Sequence, residues 1–178
     1  MARIARRAVL PMLALPVLAA CGFRPVYGPA ASGQDSPAAA ALAKIQVGLL
    51  PDRQGQVLRL ALQERFERAG LASAHEYDLS VSFGVASSAI SIESDTVATW
   101  IRVVGTANYR LTAQDPSRAT LISGVARSVD GYNLFDQQYF AQDMENDAVV
   151  KRVALAVADQ IALQLASYFA KRAIAQKS

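Results

Sequence analysis

The chain has a single thiol, Cys21, directly behind Leu18-Ala19-Ala20. A cysteine placed after small residues, an apolar run from Ala8 to Ala19 and a basic start with Arg3, Arg6 and Arg7 has the layout of a lipoprotein export signal. The chemistry this predicts is modification. The signal (residues 1–20) is removed, the sulfur of Cys21 takes a diacylglycerol, and the freed amine takes an acyl chain such as palmitate. A spanning helix needs about twenty apolar residues, and this run is shorter and contains Pro11 and Pro16. An ordinary secretory signal with a chance cysteine, or an anchor helix, fits it less well.

Other chemistry-bearing residues are sparse. His75 is the only histidine and has no cysteine or second histidine to join it, so a zinc site of nitrogen and sulfur ligands cannot be assembled. It reads as a loop residue leading to a strand at Tyr77. No glycine-rich phosphate loop and no G-x-S-x-G elbow is present. Asp143, Glu145 and Asp147 form an acidic cluster where a helix begins, so capping explains them better than a carboxylate site does. These absences favour a non-enzyme without metal or cofactor, the covalent lipid on Cys21 apart.

Processing also resets the charge. The formal +3 reflects 18 basic and 15 acidic side chains. Arg3, Arg6 and Arg7 leave with the signal, so the mature chain is formally neutral, with no electrostatic case for a nucleic-acid partner. With its thiol lipidated the chain has no disulfide, and the fold must rest on packing.

Residues 21–38 are rich in Gly, Pro and Ser and read as a lipidated flexible tether, leaving 39–178 as one domain. Ile45, Val47 and Leu49 alternate with polar residues as a half-buried strand ended by Pro51. Leu58, Ala61, Leu62, Phe66 and Ala69 recur at helical spacing, predicting a helix from about Gln54 to Ala69 with Gly70 as its stop. Leu79 to Val85 alternates again, but the parity shifts at Ile90 and Ile92, which predicts a bulge or break near Ser87-Ser88. In the next strand Ile101, Val103, Ala107, Tyr109 and Leu111 share one face. Trp100, Arg102, Thr106, Asn108 and Arg110 share the other. After a turn at Asp115-Pro116 comes a strand from about Thr120 to Val129 whose buried face is ambiguous. A helix capped at Asp143 or Asn146 and running to Lys171 closes the chain, with Val150, Val153, Val157, Ile161, Leu165 and Tyr168 as its apolar stripe.

The order strand-helix-strand-strand-strand-helix predicts an α+β two-layer sandwich: a mixed four-stranded sheet with two helices on one face. The crossover makes the first two strands parallel, and the other sheet face stays uncovered. Trp100, Arg102 and Arg110 belong to that face. With Arg127 they read as solvated strand residues, or else as candidate contacts for a partner. Tyr132, Phe135, Tyr139 and Phe140 either cap the core or enter a partner, with Tyr132 counted among the candidate contacts.

The signal runs straight into Cys21-Gly22-Phe23-Arg24-Pro25-Val26-Tyr27-Gly28, and this stretch resembles the mature start of the lipopolysaccharide-assembly lipoprotein family LptE, in its alphaproteobacterial form. The order of elements and the segment Asp143-Met144-Glu145-Asn146-Asp147-Ala148 before the last helix agree with it. The resemblance implies a non-enzymatic outer-membrane lipoprotein on the periplasmic side, held in the inner leaflet by its lipid. Such a protein plugs and helps assemble the LptD β-barrel and supports lipopolysaccharide insertion. The family's basic lipopolysaccharide contacts carry over poorly, since Ser91 to Thr96 holds Glu93 and Asp95 and no basic residue; if the resemblance extends to direct lipopolysaccharide binding, Arg102, Arg110 or Arg127 are the better candidates, with Trp100 and Tyr132 as further lipopolysaccharide or partner contacts. The alternative is another lipid-anchored assembly lipoprotein of the pilotin type, although pilotins are commonly all-helical.

Overall fold

The structure, a computed structural model, describes residues 36–70, 74–91, 99–134 and 139–176. Cys21 and most of the tether, with Phe135, lie outside them, as do the side chains of Tyr139 and Phe140. The described elements are α1 (Pro37–Ala43), β1 (Ile45–Val47), α2 (Arg53–Arg68), β2 (Tyr77–Ser91), β3 (Thr99–Ala113), β4 (Thr120–Leu134) and α3 (Tyr139–Ala175).

The strands form one mixed sheet in the order β1-β2-β3-β4, with β1 parallel to β2 and the other neighbours antiparallel. The α+β class and the parallel crossover are as the sequence predicts, but the described residues form three helices. The additional one begins inside the segment read as tether. Ser36 caps α1 by accepting a hydrogen bond from the Ala39 N–H (3.1 Å), Pro37 occupies its first turn, and Ala38 and Leu42 are buried. Alanine-rich spacing masked this amphipathicity in the sequence.

α2 and α3 run side by side in the same direction. Arg53 pairs with Asp147 (3.0 Å) and Arg65 with Asp159 (2.5 Å), each pair separated by the same sequence distance. Arg65 also donates to the Leu155 carbonyl (3.0 Å), which ties the helices through backbone as well as charge. At about 1.5 Å per residue α3 is on the order of 55 Å long, enough to lie along the whole sheet. Its segment Gln142–Ala175 is apolar and long enough to cross a membrane by composition. Here, however, the stripe is used in packing: Val149, Val153, Val157, Ile161 and Leu165 are buried against sheet and helices.

The main core joins α1, α2 and the second half of α3 to Leu79, Ala107, Tyr109 and Leu111 of the sheet. A smaller cluster of Val103, Val149, Val150 and Val153 lies toward the other end. Gly105 allows α3 to descend there, because a Cβ on it would come within 2.3 Å of Val153 Cγ1.

Three boundaries differ from the sequence expectation. β2 pairs with β3 along its full length without a bulge at Ser87-Ser88; the parity change is real, but it places Ile90 opposite Trp100 on the uncovered face. The register shift occurs at Leu111/Thr112 instead, where Leu121 is the extra residue, and this resolves the ambiguous face of β4. α3 starts at Tyr139, a turn before the acidic cluster. Asp143, Glu145 and Asp147 therefore do not cap it, and Asp147 serves in the ion pair with Arg53.

Candidate functional site

Alternation along three long strands builds a continuous face that no described helix covers. Cross-strand rows on it run Ser80–Arg110–Ser123, Ser82–Asn108–Val125, Gly84–Thr106–Arg127, Ala86–Val104–Val129, Ser88–Arg102–Gly131 and Ile90–Trp100–Asn133. Four of the five candidate contacts, Trp100, Arg102, Arg110 and Arg127, thus share one surface. Tyr132 does not join them. It lies opposite Ile101 on the helix side, half-buried beside the smaller valine cluster, because β4 continues as a strand through Leu134. Of the two roles open to Tyr132, the placement matches core packing.

Along β3, Arg102 and Arg110 are separated by about 27 Å at 3.4 Å per residue, and Arg127 sits opposite Thr106, midway between them. Among the described residues none of the three has a carboxylate within ion-pair distance. Ion pairs fall elsewhere: between α2 and α3, along α2 between Arg68 and Glu64, from Lys44 to Glu76 (2.6 Å), and from Arg152 to Asp130 (2.6 Å). Asp78, the one acid on the face, is at its far end and is engaged by Arg118 (3.7 Å) and Gln114 (2.8 Å).

Groups with displaced protonation also lie off this face. Hydrogen bonds from Arg152 and Arg65 hold the carboxyls of Asp130 and Asp159 below the usual carboxylate range, and burial raises the Tyr109 hydroxyl, which donates to Gln164 on α3. Among the described residues no acid–base pair is aimed at the open surface. His75 is exposed in the loop before β2, and no cluster of metal-ligating side chains occurs among the described residues.

The face is amphipathic at close range. Val125 and Val129 are 57% and 52% exposed and flank Arg127 on β4. Trp100 is half-buried because its ring folds over Gly131, where a Cβ would stand 2.4 Å from Cζ2. At one end, Ser80, Ser82, Asn108, Arg110, Ser123 and Val125 line a shallow depression of about 570 Å³. Hydroxyls, an amide and a guanidinium there donate hydrogen bonds, and the neighbouring valines offer apolar contact. Such a surface suits a ligand that combines anionic or hydroxyl groups with hydrocarbon. The serines of β2 were visible in the sequence only as the polar half of an alternation. Val125 and Val129 were hidden by the unplaced bulge.

The sequence model of the LptE family, described as lipopolysaccharide-assembly, matches residues 42–165, from α1 to the last third of α3. The chain belongs to the LptE family. No curated protein matches the chain. Solved structures agree on the fold of this LptE chain: a protein from Caulobacter crescentus CB15 is 20% identical, with a TM-score of 0.57 over 77% of this chain and 98% of that one. A minor lipoprotein from Acinetobacter baumannii is 14% identical, with a TM-score of 0.56 over 70% and 92%. The rare lipoprotein B of Shewanella oneidensis is 15% identical, with a TM-score of 0.51 over 69% and 93%. The described open sheet with its helices on one side is thus an LptE fold.

Proposed function

We propose that this LptE chain is a non-enzymatic lipoprotein of the outer membrane, anchored at Cys21 on the periplasmic side, that plugs and helps assemble the LptD β-barrel for lipopolysaccharide insertion. The observation that carries the reading is the family match across the folded domain. A plug for a large barrel meets a polar lumen, and a compact domain of near-neutral charge with a hydroxyl-rich open face is suited to that setting. Two or more acyl chains at about 0.8 kcal/mol per buried methylene make such anchoring lasting.

The open sheet face is the part of the domain that would meet lipopolysaccharide. Arg102, Arg110 and Arg127 would approach its phosphates, with Trp100, Val125 and Val129 against its hydrocarbon. Binding of purified lipopolysaccharide to a double variant, Arg102→Ala with Arg110→Ala, tests this. Weakened binding with an unchanged fold is expected; unchanged affinity would remove the face from the proposal while leaving the barrel role standing.

A further inference from the structure

The three arginines of the open face stand at even intervals. Arg110 lies opposite Ser123, Arg127 opposite Thr106 and Arg102 opposite Gly131, so each step from one arginine to the next covers four residues, about 14 Å at 3.4 Å per residue. All three side chains are exposed. The two intervals differ in chemistry. Between Arg110 and Arg127 lies the row Ser82–Asn108–Val125, with Thr106 beside it, and here the depression of about 570 Å³ opens. Between Arg127 and Arg102 lies the row Ala86–Val104–Val129, in which no side chain can form a hydrogen bond.

The polar interval is braced from the helix side. The Tyr109 ring fills the space that a side chain on Gly124 would take, its hydroxyl donates to Gln164, and Gln164 Nε2 donates to the Val125 carbonyl (3.4 Å). Two residues further along β4, the Arg127 N–H donates to Gln160 Oε1 (3.1 Å). The backbones that carry Arg110 and Arg127 are therefore tied to α3 and to each other, so the spacing of the two guanidiniums is set by the fold before any ligand arrives.

We propose that Arg110 and Arg127 are a matched pair that grips the two phosphates of a disaccharide phosphorylated at both ends, with the sugar rings seated in the depression between them. A disaccharide of this kind is of that length, and the flexible arginine stems take up the remainder. Each guanidinium can hold a phosphate through two parallel N–H bonds, and among the described residues no carboxylate within ion-pair distance competes for either. The amide of Asn108 and the hydroxyls of Ser80, Ser82 and Ser123 supply donors and acceptors for sugar hydroxyls. Arg102 stands outside the pair, since its interval offers the sugar nothing to bond. The assignment rests on the reading that this face meets lipopolysaccharide, whose lipid A anchor is such a disaccharide, and it adds which arginines read the two phosphates.

The test measures binding of diphosphoryl and monophosphoryl lipid A to the full-length chain in detergent, and to its Arg110→Gln, Arg127→Gln and Arg102→Gln variants. The parent chain should prefer the diphosphoryl form by about tenfold, the loss of one charge-assisted contact. Arg110→Gln and Arg127→Gln should each bring that ratio close to one, whereas Arg102→Gln should leave it near tenfold. A ratio is read because damage to the fold lowers binding of both forms alike. Equal binding of the two forms by the parent overturns the proposal, as does a ratio that survives Arg110→Gln or Arg127→Gln, or one that Arg102→Gln abolishes as well. If in such a case the variants still weaken both forms, the pair falls and the open face keeps its role; if no variant changes either affinity, both fall.

Discussion

Gly105→Ala probes how closely the long helix is seated on the sheet. The new Cβ would sit 2.3 Å from Val153 Cγ1 and 3.1 Å from Phe83 Cε2, whereas carbon atoms in contact prefer about 3.5–4.0 Å. Val153 cannot swing aside, because a β-branched side chain in a helix has essentially one rotamer. α3 must therefore lift by about 1 Å, loosening the packing of Val149, Val150 and Val153 on Val103. Overpacking of this kind costs about 1–3 kcal/mol, and the strand's gain from losing a glycine returns up to about 1 kcal/mol, so a net loss of about 1–2 kcal/mol is expected. Val153→Ala alone should cost about 2 kcal/mol through lost burial and a cavity. In the double variant the added methyl enters the space vacated by Val153, and the two losses should fall short of additivity by at least about 1 kcal/mol. Urea denaturation of residues 36–176, followed by circular dichroism, measures all four corners of the cycle. Strict additivity, or a harmless Gly105→Ala, would refute the close approach of α3.

Gly131→Ala should displace the indole of Trp100, the only tryptophan, and shift its fluorescence to the red; an unmoved spectrum would mean the ring does not rest on Gly131. Tyr132→Ala should destabilise the fold by about 1–2 kcal/mol through lost burial beside the valine cluster while leaving lipopolysaccharide binding intact, as stability and binding measured on one preparation would show. Asp130 and Asp159 have depressed carboxyl pKa values in the folded chain, so the stability they contribute is present above the unfolded carboxylate pKa and is lost as pH falls through the folded values. Both pairs are solvent-screened, which limits the effect to a fraction of about 1 kcal/mol each. In acid titrations of stability, Arg152→Ala and Arg65→Ala should each flatten the profile below about pH 4, and a profile identical to that of the parent chain would contradict the pairing.

Much of the architecture was legible because periodicity reports burial directly. The stripe of Leu58, Leu62 and Phe66 and the alternation from Ile101 to Leu111 each correspond to one buried face, and the uncovered side of β3 followed from the same count. Legibility failed where one signal had two causes. The parity change at Ile90 arises because an apolar residue there lies on the open side, opposite Trp100. The mixed parity of β4 arises from a bulge whose position depends on pairing with Leu111 and Thr112, partners the strand's own sequence does not name. α1 escaped notice because its alanines give little contrast between faces. The acidic cluster suggested a cap, yet Asp147 faces Arg53, a residue 94 positions away. Arg102 and Arg110 could be assigned to a face from sequence, but Arg127, Val125 and Val129 joined them there only through the register.

Recovery of the partner from solubilised outer membrane bears most directly on the proposed role. Affinity isolation of the full-length lipidated chain from detergent-extracted membranes should recover LptD in a one-to-one ratio. Recovery of no barrel, or of a secretin in its place, would contradict it.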